Sequence, residues 1–228
     1  MKVTALMPVK GFRNAKQRLS ALLGSAERET LAEAMFRDVL RQVSRARGLV
    51  ETVVVTRDDR VAQIAESSGA RVLRENAETG ETDAVDFARS SLKNAGCEAV
   101  LIIPGDMPLV TSADIELVLG QIPAPQVAPF ALLVPSHDRL GTNALLLAPP
   151  DIIKLRFGYD SFSYHLCQVS AQGLPIRVFE NGHIALDIDE PADLEKFLAD
   201  AADESETSET LRRFVTEQRS QPRRVGEA

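Results

Sequence analysis

The sequence predicts an α/β fold, a single three-layer α/β/α domain built on a mostly parallel, mixed sheet. Three observations lead there. Short, largely apolar runs recur at 3–9, 52–56, 71–73, 100–103, 130–134, 143–147 and 175–179, and the one at 100–103 is fully apolar and rich in β-branched residues. Runs that are apolar throughout are the pattern of strands buried on both faces. Between most of them lie stretches with helical spacing, such as Leu31, Met35, Val39 and Val43. The chain has 228 residues, 44% hydrophobic and 26% charged, enough for one large domain with a substantial core.

The totals exclude several classes. A net charge of −7 argues against nonspecific binding to a nucleic-acid backbone, so any anion site must be a local basic cluster. Cys97 and Cys167 stand far apart, which is neither a disulfide framework nor a zinc pattern and fits a reducing cytoplasm. Residues 1–9 lead straight into a strand, so no signal peptide is expected. No apolar run approaches the length of a membrane span. The expectation is a cytoplasmic protein without nucleic-acid or membrane partners.

The first strand, 3–9, ends in KGFRNAKQRL. This stretch holds Lys10, Arg13, Lys16 and Arg18 around Gly11. Strand, basic loop, then helix is a phosphate-binding layout, with lysine and arginine supplying donors. A solvated basic face is the competing reading. Ser25 is expected to cap the next helix, with Glu27 and Glu29 in its first turn. TVVVT at 52–56 is a second buried strand. Asp59 caps the helix that follows, Gly69 stops it, and 71–73 is a short third strand.

Residues 75–81 (ENAETGE) form a polar loop, and Thr82 caps a helix with Val85, Phe87, Ala88 and Leu92 inward. If strand three neighbours strand one, Thr79 and Gly80 lie beside the basic loop, within reach of a base or ribose. A plain connector is the alternative. The central stretch is VLIIPGDMPLV at 100–110. Pro104 and Gly105 end its strand, and Asp106 follows. Open α/β sheets bind ligands at the carboxyl ends of their strands, and a carboxylate there suits Mg²⁺ shared with substrate phosphates. Thr111 with Asp114 makes a capping box for the next helix.

Three prolines mark 122–129 as a connector. Strands at 130–134 and 143–147 flank the loop PSHDRLGT, and RFGYDS precedes a helix at 162–172. These two loops suit a second small anion, or are ordinary turns. His137 and His165 lack partners at metal-ligand spacing and read as structural. After the strand at 175–179, HIALDID places Asp187 and Asp189 two residues apart, on the same side of an extended segment. Pro191 opens a helix that Asp189 or Glu190 caps, so one aspartate for metal and one for capping is a reasonable division. Residues 201–228 turn acidic, then basic, and are expected to form a mobile tail with at most one short helix outside a 1–200 domain.

Taken together, MPVKGFRNAKQRL, LIIPGDMPLV and ALDIDEPADL resemble the nucleotidyltransferases of the GT-A-like fold, with its Rossmann-like sheet. The first motif departs from their glycine-rich loop, with Lys-Gly in its place. With GTNALL and FGYDS added, the chain resembles the CofC family over roughly residues 1–200. Those enzymes are guanylyltransferases of coenzyme F-420 biosynthesis. They join GMP from GTP to 2-phospho-L-lactate, phosphoenolpyruvate or 3-phospho-D-glycerate. The resemblance implies that Lys10, Gly11, Arg13, Lys16 and Arg18, with Thr79 and Gly80, bind the nucleotide. It implies catalytic roles for Lys10, Lys16 and Asp106, and Mg²⁺ on Asp106 with Asp187 or Asp189. Thr142, Gly158 and Ser161 match family positions that bind the phosphorylated acid. A homodimer and hand-off of product to the downstream transferase stay open.

Other readings are a molybdopterin or sugar-phosphate nucleotidyltransferase and a non-catalytic nucleotide-binding protein. PGDMPL alone fits the first as well. A transferase using a nucleotide-sugar donor would usually carry Asp-x-Asp where this chain has a single aspartate.

Overall fold

The computed structural model describes residues 1–75, 80–125, 128–201 and 205–220. Its sheet contains β1 (Val3–Pro8), β2 (Leu49–Thr56), β3 (Arg71–Arg74), β4 (Ala99–Ile102), β5 (Phe130–Pro135), β6 (Thr142–Ala148) and β7 (Ile176–Val178). The strand order is β3-β2-β1-β4-β6-β5-β7. Only β6 runs against the others, antiparallel to both β4 and β5. The mixed, mostly parallel sheet expected from the sequence is therefore present.

Strand alternation makes the three layers. On β4, Ala99 and Leu101 face one core while Val100 and Ile102 face the other. Leu145 and Leu147 of β6 point to the second core, and Ala144 and Leu146 to the first. A period of two on strands buried on both faces gives this division. The first core is covered by α1 (Ser25–Arg45), α2 (Asp59–Ser67), α4 (Ser112–Gly120) and α7 (Pro191–Asp200). The second is covered by α3 (Glu81–Asn94) and α5 (Ser161–Ala171). On α3, Val85, Ala88 and Leu92 are buried, whereas Phe87 falls off that stripe and is exposed.

Several expected caps move by one residue or more. Ser25 is already helical; the N-cap is Gly24, whose N–H donates to Glu27 Oε2 at 2.6 Å. Asp58, not Asp59, caps α2 by accepting from the Arg60 and Val61 amides at 2.8 and 3.0 Å. Gly80 precedes α3 with φ of +129°, so Thr82 sits inside the first turn. Thr111 and Asp114 form the expected box on α4.

Three larger expectations are corrected. Strand three does not neighbour strand one, because β2 lies between them; the chain after β3 still returns to the β1 end through Gly80 and Glu81. HIALDID is not a strand. It is a one-turn helix, α6 (Gly182–Ala185), capped by Asn181, followed by irregular chain through Asp189. Finally, the segment after 205 is not a loose tail. A fifteen-residue helix, α8 (Glu206–Ser220), packs on α1 and buries Leu211 and Phe214 in the first core. Its N-terminus is held from 168 residues away: Asp38 accepts from the Glu206 amide at 3.1 Å and from the Thr207 amide and hydroxyl at 2.8 and 2.7 Å. A remote cap on a helix with few apolar residues leaves little trace in local sequence pattern.

Candidate active site

The strand order turns outward in both directions between β1 and β4, and the main cleft opens at their carboxyl ends. The cleft is about 890 Å³. The loop after β1 supplies Lys10, Gly11, Arg13 and Lys16 to its wall, and the loop after β4 supplies Asp106. A Cβ on Gly11 would lie 2.5 Å from Asp58 Oδ2, so any larger residue there would require the Asp58 side chain, which caps α2, to shift. Arg18 does not reach the lining; it is exposed at the rim, 3.5 Å from Glu190.

Lys16 is the centre of the charge arrangement. Its backbone is left-handed, with φ of +51°, an unusual conformation for a side-chain-bearing residue. Its Nζ donates to Asp106 Oδ2 and Asp189 Oδ1, both at 2.8 Å. Burial works to lower the lysine pKa, but the two carboxylates outweigh it and hold it well above the ordinary value. Burial likewise works to raise Asp189, and Lys16 with Arg18 outweighs it and holds its carboxyl low.

The backbone shows why the three aspartates meet. The Ile188 N–H donates to the Asp106 carbonyl at 3.1 Å, so the irregular segment lies against the PGD turn. Asp187 and Asp189 flank that contact. Asp187 accepts from Asn143 Nδ2 at 3.0 Å, and its carboxyl is raised by burial and by the charge of Asp106. Neither aspartate caps α7; Glu190 is the N-cap and Asp193 closes the turn from inside. Among the described residues no three His, Cys, Asp or Glu side chains stand as a ready-made metal cage.

A smaller recess of about 290 Å³ shares Lys10, Gly80 and Glu81 with the cleft and adds Phe157 and Gly158. The Phe157 N–H donates to Thr82 Oγ1 at 2.9 Å, which joins the RFGYDS loop to the start of α3. Behind it, the Thr142 N–H donates to Ser161 Oγ at 3.0 Å, and the Ser161 N–H to the Gly158 carbonyl at 3.2 Å. Thr142, Gly158 and Ser161 thus form one group, on the β6 and α5 side of the cleft. Thr79 lies outside the described residues.

Sequence reasoning misses three site residues. Glu81 faces Asp106 and Lys10, and burial chiefly, then Asp106, push its carboxyl up to about 7. In the sequence it reads as the last residue of a polar loop. Asn143 is visible only inside GTNALL. His165, which reads as structural, joins Thr142 at the start of β6 to Arg156 behind the smaller recess. His137 lies 3.8 Å from Asp193, away from the site.

A basic loop at the β1 end, a carboxylate group beneath it and an adjoining recess on the sheet's antiparallel side define a nucleotidyltransferase of the GT-A-like type. A solved structure described as a nucleotide-diphospho-sugar transferase, from Desulfovibrio desulfuricans G20, shares this fold, with a TM-score of 0.77 and 16% identity over 96% of this chain and 98% of the other. The model of the family described as guanylyl transferase CofC like matches residues 3–225, and the chain belongs to that family. A phosphoenolpyruvate guanylyltransferase of Conexibacter woesei is 37% identical over 86% of each chain. A 2-phospho-L-lactate guanylyltransferase of Methanothermobacter thermautotrophicus is 33% identical over 85% of this chain and 83% of its own. Other relatives carry 3-phospho-D-glycerate in their names. The match extends through α8, past the span read from the sequence. No helix among the described residues is long and apolar enough to cross a membrane.

Proposed function

We propose that the chain transfers GMP from GTP to a small phosphorylated acid, phosphoenolpyruvate, 2-phospho-L-lactate or 3-phospho-D-glycerate, and releases pyrophosphate, as a step of coenzyme F-420 biosynthesis. The observation that carries this reading is the pairing of two sites. A cationic cleft and a smaller recess, with Gly158 on its wall and Thr142 and Ser161 behind it, share an edge at Lys10, Gly80 and Glu81.

The nucleotide occupies the cleft. Lys10, Arg13 and Lys16 bind its phosphates, Gly11 and Gly80 allow close backbone approach, and Arg18 acts from the rim. The acid lies by Thr142, Gly158 and Ser161. A phosphate oxygen of the acid attacks the α-phosphorus of GTP, a new P–O bond forms, and the bond to the β-phosphate oxygen breaks. The electron pair leaves with pyrophosphate. The attacking phosphate is already ionised near neutral pH, so alignment and positive charge matter more than a base. Lys16 supplies that charge where it grows, on the leaving group.

The donor set suits a hard cation. Asp106 and Asp189 converge on one cationic atom, the Lys16 ammonium, with Asp187 beside them. Mg²⁺ takes one or two carboxylates and completes its shell with phosphate and water, so a ready-made cage is not needed. Asp106 with Asp187 or Asp189 would hold Mg²⁺, which when bound neutralises phosphate charge. The test is pyrophosphate release from GTP with each of the three acids in turn. Turnover with one of them is expected, and release with none would overturn the reading.

A further inference from the structure

His165 is fully buried in α5, away from the charged cleft, and both ring nitrogens are used. Nε2 lies 3.2 Å from the Arg156 amide, and Nδ1 lies 3.0 Å from Thr142 Oγ1. An amide N–H can only donate, so Nε2 must accept and the ring proton must sit on Nδ1. Burial, with the Arg156 and Arg89 guanidiniums nearby, pushes the imidazole pKa down to about 4, so the ring is neutral at physiological pH. Phe157 and Tyr164 meet it edge-on, at centroid distances of 5.2 and 5.8 Å, and hold the ring plane.

The consequence falls on Thr142. Its hydroxyl oxygen accepts from Nδ1–H, so its own hydrogen must point to another acceptor. Ser161 is in the same position, because its Oγ accepts from the Thr142 amide. Among the described residues neither hydroxyl hydrogen has an acceptor, although both residues are buried, at 5% and 2% exposure. Two buried hydroxyls whose oxygens are both occupied by protein donors are set to donate to an anion.

We propose that His165 is a positioning residue for the phosphorylated acid: with its ring held by the Arg156 amide, it fixes the direction in which the Thr142 hydroxyl donates beside Ser161. This rests on the proposed reading that the acid binds beside those hydroxyls. A neutral ring does this without adding a fixed positive charge, so orientation rather than attraction selects the ligand.

The experiment is two-substrate steady-state kinetics on wild type, His165→Phe and His165→Asn, each checked for its thermal midpoint. His165→Phe keeps a packed ring and loses both hydrogen bonds. It is expected to raise KM for the acid roughly tenfold, while KM for GTP changes less than about twofold. His165→Asn restores an N–H close to the Nδ1 position and is expected to recover most of the loss. An acid KM within about twofold of wild type in His165→Phe would overturn the inference and leave the guanylyltransferase reading standing. So would equal losses for both substrates, which mark a merely structural role. If His165→Phe does not fold, His165→Asn alone decides: it must stay within about threefold of wild type for the acid, and Thr142→Val must not. No turnover of any acid by the wild type would overturn the functional reading and this inference together.

Discussion

The two sides of the cleft are built differently. On the β1–β4 side, full charges lie in contact: one buried ammonium between two carboxylates, each at 2.8 Å. On the β6–α5 side the contacts are neutral, made by a threonine, a serine, an imidazole and backbone amides. On the proposed reading the charged side is where charge moves during reaction, since a fixed cation gains most as the leaving pyrophosphate develops. Neutral donors suit the place where a small anion must be held in one orientation without being trapped. The chain's net charge of −7 makes the contrast sharper, because the positive side is a local device in an acidic protein.

The largest effect should come from the charged side. Asp106→Asn keeps size and removes one carboxylate of the pair around Lys16. Turnover with saturating GTP, acid and Mg²⁺ should fall by about 10²–10³-fold with an unchanged circular dichroism spectrum. A loss under about threefold would mean that this side is not where charge is handled.

A smaller effect, on stability alone, separates both sides from the back of the molecule. Asp38→Ala leaves the Glu206 and Thr207 donors of α8 without their cap. The expected cost is about 2 kcal/mol in urea unfolding, with near-normal kcat and KM. Unchanged stability would return α8 to the status of a loose tail.

The smallest effect is a pH slope. The Glu81 carboxyl sits at about 7 instead of 4.5. A raised folded pKa contributes stability that is fully present below the unfolded value and is lost as pH rises through the folded one. Metal-free protein should therefore lose stability between about pH 4.5 and pH 7, and Glu81→Gln should flatten that loss, by about 2–4 °C in Tm for each 1 kcal/mol the group is worth. Parallel Tm curves for the two proteins would remove Glu81 from the charged side.

The same contrast explains which features the amino-acid sequence reveals on its own. Lys10, Lys16 and Asp106 are legible because charges at the ends of buried strands stand out. The layered sheet is legible because runs such as VLII and ALLV are apolar at every position. The neutral side is legible only coarsely. The composition of the two loops that hold Thr142 and Ser161 suits a small anion as well as it suits a turn, and the family resemblance singles out the residues. His165 carries no spacing signal, because its partners come from a strand and a loop. The acidic pair at 187–189 stands out as charge, but strand geometry is the wrong reason for it: the chain there is irregular, and one backbone bond to Asp106 brings it in. Glu81 hides as one more acid of a polar loop, and α8 hides because its cap is Asp38 on α1.

The most direct test of the two-sided account is a matrix of kinetic constants, GTP and acid varied separately, for Lys16→Ala and Ser161→Ala. Lys16→Ala should lower kcat/KM for GTP about 10²-fold and leave KM for the acid within about twofold, with Lys16→Arg recovering only part. Ser161→Ala should do the reverse, raising KM for the acid roughly tenfold while the GTP constants hold. If Lys16→Ala raises KM for the acid and leaves the GTP constants unchanged, the two sides have been assigned to the wrong substrates and the account fails.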